Sequence, residues 1–301
     1  MTSSARSALT RSLEGLRTAS LSPAVRATDP SGEILRRGVA VSAYNLLEAF
    51  IEARLAELTI YINQGHLHFA DLPERVQKQA TRNLLDVANA RARRIPDADL
   101  RDFVRAVGES LSAVHGAVNL SSLTWMWSGS NMRTSDFGAV LKSFHVEAPW
   151  PSIAALSARI GLNAGDPMAD LDAFAQERHR AAHDSTHQVS NLWIGLAIDH
   201  LVKFSVTLDA FASVGAAAMR RGDAAFLADK NWTSSVIGIR RVKARSNSWA
   251  EYTENGTSAF RVGTDLHVVT MNAAQRCSEK DLLIVTDATG QVIDWSIPGV
   301  G

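Results

Sequence analysis

Arg178-His179-Arg180-Ala181-Ala182-His183 is the stretch of this 301-residue chain whose residue types and spacing most suggest chemistry. Histidine titrates near neutrality, so it can take or give a proton at physiological pH. An arginine beside it can stabilise negative charge that develops during a reaction. His179, His183 and His187 recur every four residues, which on a helix places them along one face. Two other readings stand beside acid–base chemistry. A histidine pair at i and i+4 can chelate zinc but needs a third ligand from elsewhere. The outer two histidines of the three would lie roughly 12 Å apart along a straight helix, no HExxH motif occurs, and the single cysteine, Cys277, offers no cluster. The remaining reading is a polar helix flank with a structural arginine.

The element that must carry these residues is a helix over 168–187, on which Met168, Leu171, Ala175 and Ala182 form an apolar stripe. Arg178 falls on the same stripe, and a cation aimed at a packed surface is costly unless it is paired or serves a site. Arg178 and His183 are five residues apart, so their side-chain directions diverge by about 140° on one ideal helix. His179 is therefore the nearer neighbour of His183. Arg178 can meet His183 only by curling, or across a dimer.

Helical periodicity dominates the first two thirds of the chain. Leu47, Phe50, Ile51, Leu55, Leu58 and Ile62 mark a long helix over 35–62, and shorter helices follow over 76–94 and 100–118. Phe137, Val140, Leu141 and Phe144 share a face behind Thr134 or Ser135 as N-cap. A long apolar helix over 192–219, interrupted by Asp199, His200, Lys203 and Asp209, reads as a buried helix rather than a membrane span. After Gly222 the texture changes to short strands over 236–245, 248–253, 258–262, 266–271, 282–285 and 292–295, with Asn255-Gly256 as a hairpin turn. The expected organisation is a partly helical extension over 1–34, a helical domain over 35–222 and a small β domain over 232–301, mainly α and α+β overall.

The stretch from Arg178 to His183 resembles the signature of the HEPN superfamily, an arginine and a polar residue followed by a histidine; here four residues intervene and the polar residue is His179. The upstream segment from Asn131-Met132-Arg133 through Phe137 to Phe144, and the helix around Leu46-Leu47-Glu48-Ala49-Phe50, resemble the corresponding parts of the RiboL-PSP branch. The resemblance covers roughly residues 38–212. It implies an antiparallel helical bundle and a metal-independent RNA endonuclease without cofactor. It also implies a homodimer that pairs two signature helices over one cleft. Arg178 would then stabilise the scissile phosphate, His183 would act as general base or acid, and His179 would orient the pair. The product would carry a 2′,3′-cyclic phosphate. A toxin or phage-defence role, with an antitoxin or regulatory partner, is the biological expectation. The alternative within the same resemblance is a non-catalytic module that binds RNA or protein.

Other residues carry weaker signals. Arg241, Lys243 and Arg245 alternate along a strand and so share one face; with Arg180 they are candidate contacts to an RNA backbone, against the plainer reading of a solvated sheet face. Arg91, Arg93 and Arg94 end a helix, where cations favour the dipole. Glu48 and Glu52 could line a cleft or simply face water. Trp125, Trp127, Trp232, Trp249 and Trp295 could stack bases but fit a core better, and His66 and His68 form a loop pair without partners. The chain has 31 basic and 31 acidic residues, so the net charge does not announce a nucleic-acid partner. One cysteine excludes an intramolecular disulfide and fits a reducing cytoplasm. Residues 1–20 are rich in Ser and Arg, as transit peptides are, but Leu9, Leu13 and Leu16 have helical spacing and no apolar targeting core follows.

Overall fold

The computed structural model describes residues 3–300, and its first helix starts where the Ser3 hydroxyl accepts the Arg6 N–H. That helix, α1 (Ser4–Leu21), buries Leu9, Leu13 and Leu16 along one side. A short α2 (Pro23–Arg26) turns the chain into α3 (Pro30–Asn63), capped by the Asp29 carboxylate on the Gly32 N–H. Beyond it come α4 (Glu74–Lys78), a π turn (Gln79–Asn83), α5 (Leu84–Ala92) and α6 (Asp97–Ser112). The expected helix over 100–118 stops early, because 113–115 tighten into a 3₁₀ turn. Then follow α7 (Thr134–Ser143), α8 (Pro149–Ile160), α9 (Pro167–His183) and α10 (Asn191–Arg221). Arg133, not Thr134 or Ser135, is the N-cap of α7, and its own N–H is held 2.9 Å from Asp136 Oδ2.

The long helices form the centre. Arg36 reaches the Val189 carbonyl just before α10, while Arg54 reaches Asp209 and Ser213 near its far end, so α3 and α10 run parallel. α9 runs antiparallel to both. By length and composition α10 could cross a bilayer, yet its apolar window is wholly buried inside the fold. Two of its charged residues, Lys203 and Asp209, are paired inside the fold. Lys203 Nζ lies 2.5 Å from Asp170, and Asp209 is fully buried among cations.

Asp209 organises the most connected polar cluster. Its Oδ1 accepts from Arg54 Nε at 2.7 Å and from the Ser213 hydroxyl at 2.7 Å, and its Oδ2 accepts from the Trp295 indole at 2.8 Å. Arg6 Nε lies 2.9 Å from Oδ2 but without hydrogen-bond alignment, so it contributes charge rather than a directed bond. Arg6 and Arg54 both donate to the Val300 carbonyl, and Arg54 continues to Glu57, which accepts from Ser3, Ser4 and the Ala5 N–H. α1, α3, α10 and the last turn of chain are tied at one point.

After α10 come α11 (Ala224–Ala228) and α12 (Trp232–Val236), then β1 (Gly238–Ala244), β2 (Trp249–Thr253), β3 (Arg261–Gly263), α13 (Leu266–Ala274), β4 (Asp281–Thr286) and β5 (Val292–Ser296). The sheet order is β3-β2-β1-β4-β5, antiparallel except for the parallel β1–β4 pair. Residues 266–271, expected as a strand, are helical. β3 and β4 point the same way on either side of the sheet, and such a connection needs a crossover rather than a hairpin. Asp265 caps that crossover helix through the Val268 N–H, and Val269 and Ala273 bury its inner face against Val242, Leu283 and Val285. The strand expected at 258–262 is shifted to Arg261–Gly263, because the Gly256 turn (Gly256 N–H to Thr253 carbonyl, 3.1 Å) opens into a wider loop. The opposite sheet face, with Ile239, Leu282, Ile284 and Trp295, belongs to the same core as α1, α3 and α10.

Burial raises the Asp209 carboxyl, but Arg54, Arg6 and the hydrogen bonds from Ser213 and Arg54 outweigh it and hold the group at about 2. A pKa depressed in the folded state stabilises folding fully above the ordinary value of 3.8 and loses that contribution as the pH falls through about 2. Asp209→Asn leaves two buried guanidinium groups poorly compensated, and chemical denaturation at neutral pH should show a loss of about 3–5 kcal/mol. The stability deficit of this variant should shrink between pH 4 and pH 2, and a deficit constant over that range would show that Asp209 is not held ionised by the cluster.

Candidate functional site

α9 is set in place from both ends. Asp166 caps its start by accepting from the Met168 and Ala169 N–H groups at 3.0 and 3.1 Å, and Pro167 supplies a preset first turn. At the far end Arg37 of α3 donates to the Ala181 carbonyl at 3.0 Å and to the Ser185 carbonyl at 3.2 Å. Asp184 then accepts from the Thr186 N–H and hydroxyl, a side-chain-closed turn that stops the helix at His183. The helix expected to reach 187 is therefore one turn shorter. His187 leaves the row of histidines and folds back, placing Nε2 2.8 Å from Glu177.

The inward stripe of α9 is Leu171, Phe174, Arg178 and Ala181, with Arg178 half-buried and the other three buried. Met168 and Ala182, assigned to that stripe from the sequence, are exposed, because the face turned to α3 is centred a little further round the helix. Arg178 keeps its expected inward place. Its Nε and Nη2 both lie 3.4 Å from Asn45 Oδ1, a long and weak engagement. Phe174 meets Tyr44 edge to face at 5.1 Å, and the Tyr44 hydroxyl donates to the Met132 carbonyl at 2.7 Å. Glu48 Oε1 accepts the Met132 N–H at 2.6 Å. The 131–133 segment is thus docked on α3 beside Arg178. Burial pushes the Glu48 carboxyl up, with Glu52 adding to the effect, against the opposing pull of the Met132 N–H and of Arg178.

His179 and His183 are exposed on the outer side of α9, their rings 4.8 Å apart between centroids. Arg180 is exposed beside them. The structure thus joins His179 to His183 and joins Arg178 to α3. It does not bring Arg178 and His183 together within one chain. Among the described residues no group of three His, Cys, Asp or Glu side chains is placed to hold a metal ion.

The basic strand is less available than its alternation suggests. Arg241 donates to the Glu254 and Arg159 carbonyls and is fixed at the junction of sheet and α8. Lys243 is exposed, lying 5.5 Å over the Tyr252 ring, and Arg245 is exposed. Of the tryptophans, Trp125, Trp232 and Trp295 are core residues, whereas Trp127 is half-buried. Two site residues had no place in the sequence argument, Arg37 and Asn45. Their signal is present in retrospect: Arg37, Asn45, Glu48 and Glu52 fall, with Val41, on one row of α3 at steps of three and four.

No protein-family profile, no curated protein and no solved structure matches this chain.

Arg37→Ala leaves the last carbonyls of α9 to solvent. Its expected cost is about 1 kcal/mol, read by chemical denaturation. Faster amide exchange should be confined to residues 181–187. Uniform exchange along α9 would show that the helix end is held by something else.

Proposed function

We propose that this chain is a metal-independent RNA endonuclease of the HEPN type that works as a homodimer. The observation that carries the reading is the division of one helix into two chemical faces. Arg178 sits half-buried and loosely held at the α3 seam, and the His179–His183 pair lies exposed at the helix end. A guanidinium with only long hydrogen bonds remains able to turn to a phosphate, and a ring pair in solvent can exchange protons.

In this reading His183 removes the proton from a ribose 2′-hydroxyl. The 2′-oxygen bonds to phosphorus, and Arg178 stabilises the charge on the phosphoryl oxygens. The bond from phosphorus to the 5′-oxygen breaks, and that oxygen is protonated by the second histidine of the cleft. The products are a 2′,3′-cyclic phosphate and a 5′-hydroxyl. The divergence of Arg178 and His183 within one chain is what the dimer removes. Toxin or defence biology with an antitoxin or regulatory partner is the setting we propose for such an activity.

The same divergence favours a second reading, a non-catalytic module in which Arg178 and Arg180 hold an RNA or a protein. One experiment separates the two. In EDTA, His183→Ala and Arg178→Ala should each lower RNA cleavage by about 100-fold or more, while His183→Ala leaves folding unchanged because the side chain is exposed. Cleavage undiminished in both variants would defeat the nuclease reading, and a wild-type protein that binds RNA or a partner without cutting would establish the module.

A further inference from the structure

Beside the Arg178 seam, one turn further along α3, a cleft of about 270 Å³ is lined by Glu48, Glu52, Arg91, Arg94, Trp127 and the 128–130 segment. It is smaller than the roughly 300–1,000 Å³ of pockets for drug-sized ligands, which suits a single ring system. We propose that it is a subsite for an unpaired guanine base of the RNA, stacked on Trp127 and bound through its Watson–Crick edge by Glu48 and Glu52, with Arg91 and Arg94 on the adjoining phosphate. The proposal rests on the ribonuclease reading for its substrate.

The donor and acceptor inventory selects the base. Glu48 uses one oxygen for the Met132 N–H, and Glu52 uses one for Arg91 Nη2 at 3.2 Å. Among the described residues the second oxygen of each has no hydrogen-bond partner. Two carboxylates need donors opposite them. Guanine presents two adjacent donors, its ring N1–H and its 2-amino group. Adenine, cytosine and uracil each place an acceptor next to their donor, and an acceptor facing a carboxylate is repelled. Half-buried Trp127 lines the cleft, and stacking on an aromatic ring is tolerant of sequence, so in this proposal it holds the base while the carboxylates choose it. Arg91 and Arg94 stand three residues apart, with the Arg94 N–H on the Arg91 carbonyl at 2.9 Å, and both line the cleft. The position matters as much as the composition. Arg178 acts electrostatically on Glu48, and Asn45, its hydrogen-bond partner, lies one helical turn from Glu48. In this proposal one phosphate flanking the base lies on Arg91 and Arg94, and the strand continues on the other side past Glu48 toward Asn45 and Arg178.

The test uses single-stranded 2′-O-methyl RNA tetranucleotides, which cannot be cut, differing only in the base at one position. Binding is followed by tryptophan fluorescence of the full chain. The guanine oligomer should quench and bind about tenfold tighter than the other three. Trp127→Phe, which preserves an aromatic ring for packing, should lose that quench, and the half-exposed Glu52→Gln should remove most of the preference for guanine. Equal affinity for all four oligomers, or a quench unchanged in Trp127→Phe, overturns the subsite. Mapping the cyclic-phosphate ends of cleaved RNA separates this outcome from the fate of the nuclease reading. Selective guanine binding without any cleavage keeps the subsite and removes the nuclease, whereas His183-dependent cleavage with no preference for guanine removes the subsite and keeps the nuclease.

Discussion

A single buried carboxylate, Asp209, sets the terms for the rest of this fold. It lies at the middle of the long buried helix α10 with no exposure, and a lone ionised carboxylate there would be prohibitively unfavourable. It is tolerated because Arg54, Arg6, Ser213 and the Trp295 indole surround it. Each of those groups arrives on a different part of the chain. The charges are compensated only when α1, α3, α10 and β5 are all assembled, so the cluster rewards the complete fold and penalises partial ones. Its net contribution to stability is modest, since desolvation offsets much of the attraction. Its geometric demand is strict, because any other register of these elements would leave Asp209 or the two arginines without their partners.

That constraint reaches the candidate site through α3. The same helix holds Asp209 with Arg54, holds the end of α9 with Arg37, and presents Asn45 to Arg178. Fixing the register of α3 against α10 therefore fixes where Arg178 meets the bundle. The quality of the contacts differs along the helix. The bonds of Arg54 at the Asp209 cluster are 2.7–2.9 Å and buried, whereas the two bonds of Arg178 to Asn45 are 3.4 Å and exposed to water. A rigid frame thus carries a loosely tethered cation, which is the arrangement a binding or catalytic site requires. Between these two points on α3, Glu48 and Glu52 each hold one hydrogen bond to the protein, at 2.6 and 3.2 Å.

The helical part of the chain was readable because its apolar residues recur with a period that a buried helix demands, and α3 and α10 appear within a few residues of their expected bounds. Four of the strands were readable for the analogous reason, since β-branched and aromatic runs lie between turn residues. Residues 266–271 were not, because Leu266, Val268, Val269 and Met271 have the composition of a strand, and only the need to cross from β3 to β4 makes them a helix. A local run of such residues does not carry that information; the direction of two distant strands does.

The site divides along the same line. Sequence by itself determined that Arg178 belongs on the inner side of its helix and that His179 neighbours His183, because both follow from 3.6 residues per turn. It also limited α10 to a helix whose charges must be paired. Tertiary structure alone decided what they are paired with: Lys203 with Asp170, Asp209 with two arginines, Arg178 with Asn45, and His187 with Glu177 after Asp184 ended the helix. It also decided that Arg241 is bound to carbonyls and that Trp127 opens onto a cleft with two glutamates. The physical reason is common to all of these. Periodicity states which way a side chain points, but the partner it meets is set by packing between elements far apart in the chain.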